Sequence, residues 1–429
     1  MQSAEFLFYR NSENMEILET MCSLMEHLKD DYYTDEEREA MFYKTVSGLY
    51  SYASKNGFVG NLWHCYLTEL LVYNENPYTI SCEMRGNVGG TLNLAVLHDY
   101  RIFMDMFAYD IKELEETIGN TNDMTLLTRY EESGKAAIKY NKDIVARINN
   151  LAVELAAAQD IYEFQRLLNT FYGEYGVGVF GLHKAFRVER RDEIMHINPI
   201  YNIKVTSLDD IVGYDIPKNK LIANTEAFLQ GKKANNCLIY GDAGTGKSSS
   251  IRAILNRYYS KGLRMIEVYK HQYQELNELI DNLKVRNYKF IIYLDDLSFE
   301  EFETDYKYLK AVIEGGLESK PDNVLIYATS NRRHLVKETT ADKDGDDIHR
   351  NETNAEKLSL FARFGESIYF GAPEKQEFNN IVLTLAARYS VPMEESELLL
   401  EANKWCQYHG KTSGRMARQF IDAMRAKYC

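Results

Sequence analysis

Little in this chain invites a metal, a disulfide framework or a membrane. Its six cysteines (Cys22, Cys65, Cys82, Cys237, Cys406 and Cys429) are scattered through 429 residues and form no C-x-x-C pair. Structural zinc and a dithiol redox motif therefore lose support, and reduced, mostly buried thiols are expected. No histidine sits in a metal-ligand spacing, His64 beside Cys65 included, so no protein-held transition metal is expected. No apolar run approaches the roughly 18 residues that span a bilayer. The opening MQSAEFLFYRNSENMEILE lacks the basic start, apolar stretch and small-residue cleavage site of a signal peptide. A cytoplasmic protein without a membrane partner is expected. A positive balance is also lacking: 64 Asp and Glu outnumber 50 Lys and Arg, and the net charge is −14, the wrong sign for a broad grip on nucleic acid, which depends on Lys and Arg neutralising phosphates. The basic stretches NRRHLVK and RMARQFIDAMRAKY leave local contact with DNA or RNA open, but read more simply as solvated faces or parts of a nucleotide site.

What is present is ordinary globular material, 45% hydrophobic and 27% charged, in a chain long enough for two or three domains with cores of their own. No internal repeat or low-complexity segment stands out. From Met1 to about Arg191 apolar residues recur three and four apart, as in AAIKYNKDIVARINNLAVELAAAQDIYEFQRLLNTFY, which predicts helices. Two glycine clusters interrupt them, RGNVGGT and YGVGVFGLHKAF. The second contains G-x-G-x-x-G (Gly176, Gly178, Gly181) without a clear preceding strand or a following acidic residue at the right distance, so it reads as a loop packing on a neighbouring domain.

Near His196 the texture changes. Short apolar runs (NCLIY, RMIEVYK, KFIIYLDDL, NVLIYATS, ESIYF) alternate with helical segments, which predicts a parallel sheet buried on both faces, with ligands at the carboxyl ends of its strands. The division expected is a helical domain over 1–195, an α/β nucleotide-binding domain over 196–372 and a helical lid over 373–429. The polar segment VKETTADKDGDDIHRNETNAEKL is expected to be a mobile surface loop, either a tolerated excursion or a partner-contacting insertion.

Within the α/β region, YGDAGTGKSSSIR matches the phosphate-loop spacing G-x-x-x-x-G-K-[ST] from Gly241 through Gly246, Lys247 and Ser248. Glycines at 241, 244 and 246 let the backbone turn tightly and aim its N–H groups at a phosphate, together with those of Asp242, Ala243, Thr245 and Ser249. The following helix points its N-terminus at the same anion. Lys247 is placed for the β- and γ-phosphates and the Ser248 hydroxyl for Mg²⁺. Downstream, KFIIYLDD ends an apolar strand in two carboxylates. Asp295 is expected to hold Mg²⁺ through water and Asp296 to polarise the attacking water. Asn331, ending NVLIYATSN, is positioned either to orient that water or to cap the loop that begins there.

The order of the phosphate loop, IIYLDD, LIYATSN, LFARFG before a strand and SGRMARQF in a C-terminal helical segment resembles the AAA+ ATPases. More narrowly, YGDAGTGKSSS, LDDLSFE, YATSNRRHL and KLSLFARFG are similar to a bacterial AAA+ family catalogued as a domain of unknown function, over roughly Asp209 to Cys429. The resemblance implies a P-loop NTPase fold and assigns roles by position. Asn331 becomes sensor 1, Arg363 an arginine finger given to a neighbouring subunit, Arg415 sensor 2 from the lid, and Ile211, Val212 and Gly213 part of the adenine pocket. A surface ion pair for Arg363 or Arg415, and plain core packing for the Ile-Val-Gly turn, are the competing readings. Most AAA+ proteins carry glutamate where this chain has Asp296, a side chain one methylene shorter; Glu300 and Glu301 are weaker candidates for that role.

These readings lead to an oligomeric, Mg²⁺-dependent ATPase acting on a macromolecule, expected to be a protein. The alternative is a nucleotide-gated switch or loader that hydrolyses little; a small-molecule kinase leaves the sensor and finger positions unexplained.

Overall fold

A computed structural model describes residues 3–10, 15–86, 89–118, 125–131, 142–299, 305–314, 321–331 and 362–428. The chain divides into two compact units, Met1–His183 and Lys184–Cys429.

The first unit is helical. Its described helices run from α1 (Glu16–Glu26), α2 (Asp35–Asn56), α3 (Leu62–Tyr73), α4 (Pro77–Arg85) and α5 (Thr91–Ala108) through α6 (Ile111–Ile118), α7 (Thr125–Thr128) and α8 (Lys142–Ala157) to α9 (Ile161–Tyr175) and α10 (Gly178–Leu182). Their starts follow local chemistry. Thr34 and Glu37 close a capping box on α2, Asn76 caps α4 ahead of Pro77, and Asp160 accepts from Tyr162 N and Glu163 N at the head of α9. One core gathers Trp63, Tyr66, Phe103, Leu168 and Tyr172. The buried Asp99 carboxylate accepts from the backbone N–H groups of Leu7, Phe8 and Tyr9 at 2.8–3.2 Å, satisfying both its charge and an otherwise orphaned segment.

The second unit is built on a seven-stranded sheet in the order β2-β1-β4-β5-β6-β3-β7. The strands are β1 (Ala185–Arg191), β2 (Ile194–Pro199), β3 (Cys237–Gly241), β4 (Leu263–Glu267), β5 (Lys289–Leu294), β6 (Val324–Ser330) and β7 (Glu366–Phe370). All neighbours are parallel except the β1–β2 hairpin. The central runs are apolar because both faces are buried: every residue of β6 is, and five of six in β5. Helices α11 (Asp215–Leu229), α12 (Lys247–Tyr258), α13 (Leu276–Lys284) and α14 (Tyr306–Glu314) are threaded between the strands. The last three, α15 (Lys375–Arg388), α16 (Glu395–His409) and α17 (Gly414–Tyr428), share a separate small core around Phe378, Leu398 and Phe420.

Two sequence expectations need correction. The helices end before Ala185 rather than at Arg191, and the units divide at His183 rather than near His196, because Ala185–Arg191 is a strand whose residues 185–187 pair with Met265–Glu267 of β4. Its inner residues are buried in alternation while its end is charged, and only pairing to the sheet reveals that pattern as a strand. The glycines of YGVGVFG pack inside the helical unit: Gly181 approaches the Gly176 backbone so closely that a Cβ would lie 2.8 Å from Gly176 C. The long polar segment 336–358, with Glu300 and Glu301, lies outside the described residues.

Candidate functional site

Strand register assembles the site. Leu294 pairs with Ala328, and Tyr240 with Ser330, so the residues just beyond β5, β6 and β3 emerge at one carboxyl edge of the sheet. Gly241 ends β3 at φ 138°, and a Cβ there would collide with the Phe370 carbonyl on β7, which restricts the position to glycine. The turn that follows feeds directly into α12, whose first residue is Lys247.

Around that edge lies a cleft of about 810 Å³, walled by Ala243–Ser249, Asp295, Asp296, Asn331 and Arg415 together with Ile211 and Val212. Most of the expected site residues are thus brought together. Three stand behind the wall. Gly241 and Asp242 offer their carbonyls to Lys247, and Gly213 supplies a positive-φ turn (78°) between Val212 and Tyr214. Asp242 also anchors the edge of the sheet, its carboxylate accepting from Ala372 N at 2.8 Å. Arg363 is not on the cleft; it is ion-paired with Glu314 at the end of α14.

The polar groups form one connected set. Lys247 Nζ donates to Gly241 O (2.9 Å), Asp242 O (2.7 Å) and Asn331 Oδ1 (2.9 Å), and Asn331 Nδ2 in turn donates to Asp296 Oδ1 at 2.8 Å. Thr329 serves both aspartates: its hydroxyl donates to Asp295 Oδ1 at 2.6 Å and accepts from Asp296 N at 3.0 Å. Ser248 Oγ donates to the same Asp295 oxygen at 2.9 Å. Asp296 holds φ 53°, a left-handed conformation in which aspartate is among the less disfavoured residues and which is concentrated at functional sites.

Burial pulls the Lys247 ammonium below its ordinary pKa; the charges of Asp242, Asp296 and Asp295 oppose that, while nearby Arg415 adds to it. Burial pushes Asp295 up, but hydrogen bonds from Thr329 and Ser248, the nearby Tyr293 hydroxyl and the charge of Arg252 outweigh it and hold the carboxyl below its usual range. Asp295 is therefore ionised at neutral pH beside a serine hydroxyl, a donor set suited to a hard cation.

The cleft also has apolar lining. Ile211, Val212 and Tyr214 face Ile381, Leu385 and Tyr389 from α15 and its end. The lid helices touch the rest of the unit at both ends of the cleft: Arg415 N donates to Gly244 O at 3.0 Å, and Arg388 reaches Asp210 Oδ1 (3.1 Å) and Asp209 O (2.8 Å). Tyr389 carries two guanidinium groups over its ring, Arg418 at 4.6 Å and Arg425 at 4.7 Å.

Sequence reasoning missed Thr329, Arg252, Tyr214, Ile381, Leu385 and Tyr389. Thr329 had a usable signal, the polar end of an otherwise apolar strand; the others carry no local signature.

A phosphate loop, a two-aspartate strand end and an asparagine on the intervening strand, on a 7-3-6-5-4 parallel core with a three-helix lid, define a P-loop fold of the AAA+ type. Residues 181–428 match the model of the family described as "Protein of unknown function (DUF815)", and the chain belongs to that family. It is 27% identical over 144 residues to the chromosomal replication initiator protein DnaA of Borrelia turicatae, across 33% of this chain and 28% of that one. With DnaA of Borreliella burgdorferi it is 29% identical over 119 residues, 27% of this chain and 22% of the relative. The chain thus spans under a third of the curated relatives it matches. Among solved structures it is similar to a Thermotoga maritima RuvB mutant (17% identity, TM-score 0.35, 52% of this chain and 66% of that one). A second is the FIGL-1 AAA domain in complex with ADP (14%, 0.36, 52% and 74%).

Proposed function

We propose that the protein is an ATPase of the AAA+ type that works as an oligomer on a protein partner. The observation carrying this reading is the chain of contacts from Lys247 through Asn331 to Asp296, with Thr329 holding both aspartates. It couples the residue suited to a γ-phosphate to the residue suited to a water. ATP would lie with its phosphates against residues 241–249 and its base against Ile211, Val212 and Tyr389. Asp296 would accept a proton from the attacking water, and Asn331 would exchange its Lys247 contact for one that aligns that water. Ser248 and Asp295 fit Mg²⁺, which takes one or two carboxylates and completes its shell with water and phosphates. Among the described residues there is no cluster of three or more His, Cys, Asp or Glu able to hold a metal alone, so nucleotide and cation would be held together. When bound, Mg²⁺ would neutralise charge developing on the phosphates.

Arg363 would act in an oligomer: off its own cleft and beside β7, it would exchange its ion pair with Glu314 for a neighbour's nucleotide, and an arginine supplied in trans contributes about 10³ to 10⁵ in rate. Arg415, on the helix that contacts Gly244, would report phosphate occupancy to the lid. No helix among the described residues is long and apolar enough to cross a membrane, and the acidic net charge favours a protein over a nucleic acid as partner.

A second reading is a nucleotide-gated switch with little turnover. It is favoured by Asn331 occupying both Lys247 and Asp296, and by the short reach of an aspartate at 296. ATPase rate per subunit against protein concentration, with Arg363→Ala alongside, separates the two. A rate that climbs with concentration and collapses in the variant is the motor; ATP bound with a rate near zero throughout is the switch.

A further inference from the structure

The helical unit holds a groove of about 510 Å³ that no part of the nucleotide chemistry uses. One wall is a face of α9, running from Tyr162 past Gln165, Arg166 and Asn169 to Gly173; the other is Gly86 at the end of α4 and Asn93 in the first turn of α5. At 1.5 Å per helical residue, Tyr162 to Gly173 spans about 16 Å, the length of about five residues of extended chain.

The floor is made of carboxamides, and half of their hydrogen-bonding capacity is already committed. Gln165 Nε2 donates to Tyr78 OH, Asn93 O and Asn93 Oδ1, each at 3.0 Å. Asn169 Oδ1 accepts from Tyr78 OH at 2.8 Å and from Cys82 Sγ at 3.4 Å. These contacts fix the amide planes, with Gln165 7% and Asn169 9% exposed. What remains is Asn169 Nδ2, Asn93 Nδ2 and Gln165 Oε1, none with a partner among the described residues. These amide groups, buried at Gln165 and Asn169 and half-buried at Asn93, are held rigid by their other ends and offer a ligand two donors and one acceptor. At the rim Tyr162 is 66% exposed, an apolar platform with a polar tip. The groove has no surplus of positive charge, since Arg166 is paired with Glu163 at 3.4 Å and Glu174 stands at its end; a nucleic-acid strand would need that surplus.

We infer that this groove binds an extended, uncharged peptide segment by its backbone, two carbonyls accepting from Asn93 and Asn169 and the N–H between them donating to Gln165 Oε1, with a side chain resting on Tyr162. The inference does not rest on the nucleotide site.

The test uses the full chain without nucleotide, screened against an array of random octapeptides, with selected peptides then titrated by fluorescence anisotropy. Asn169→Asp keeps an oxygen for Tyr78 and Cys82 and exchanges the donor for a second acceptor oxygen, which a peptide carbonyl cannot use; Tyr162→Ala alters an exposed ring. Each is expected to weaken binding about fivefold to tenfold. N-methylation of the central peptide amide should do the same, while Lys247→Ala should leave binding unchanged. The proposal is overturned if no octapeptide is selected, if selected peptides ignore Asn169→Asp and the N-methyl group, or if oligouridylate rather than peptide shows sensitivity to these variants.

Discussion

Gly176, Gly178 and Gly181 lie in YGVGVFG of the helical unit; Gly241, Gly244 and Gly246 lie in YGDAGTGKS of the α/β unit. Both stretches turn the backbone through positive φ and open a helix. In the first, a Cβ on Gly178 would collide with the Glu75 side chain, and Val177 N donates to the buried Glu83 carboxylate at 3.0 Å. An anion there would meet carboxylates. In the second, the loop ends on the buried Lys247 with Arg415 close by, and a cleft remains in front of it. Glycine spacing makes a tight turn possible in either place; the charge around the turn decides whether a phosphate is welcome.

If that contrast is right, changes in the α/β stretch act on nucleotide chemistry and changes in the helical stretch act on stability alone. The largest effect is expected from Arg363→Ala, a loss of about a thousandfold in per-subunit turnover with ATP affinity kept. Mixing it with Lys247→Ala should restore part of the rate, because each variant supplies what the other lacks; no restoration in a mixed assay would show that Arg363 does not act across subunits. Lys247→Ala should weaken ATP binding about a hundredfold by calorimetry, the loss of charge-assisted phosphate contacts. Asp296→Asn should bind ATP within about threefold of the parent chain while losing at least about a hundredfold in turnover, as for removal of a general base; unchanged turnover would move that role elsewhere. On the other side of the comparison, Gly181→Ala should lower stability by about 1–3 kcal/mol in urea unfolding, from the clash with Gly176, and leave ATP affinity alone. A fall in ATP affinity from that change would break the contrast. The smallest effect is expected at the lid: Arg388→Ala removes a partly exposed contact to Asp210 and should shift ATP affinity only about twofold to threefold.

Legibility followed sequence distance. Residues 241–249 could be read because phosphate binding needs consecutive backbone N–H groups, and consecutive groups leave a consecutive motif. Asp295, Asp296 and Asn331 could be read because each sits at the polar end of an apolar run. Tyr389, Leu385 and Ile381 could not: on α15 they look like any core face, and only the lid's return to the sheet turns them toward a cleft. β1 was hidden for a related reason, since AFRVERR is half charged and becomes a strand through its pairing with β4.

By itself the sequence determined a phosphate loop, a parallel α/β core, a helical front region and the two carboxylates at a strand end, because these depend on local geometry and on period-specific burial. Tertiary structure alone decided that Asn331 links Lys247 to Asp296, that Thr329 holds both aspartates, and that Arg363 stands away from its own cleft beside Glu314. Those relations are set by strand order and register, which place residues far apart in the chain within hydrogen-bonding distance, and no window of sequence records them.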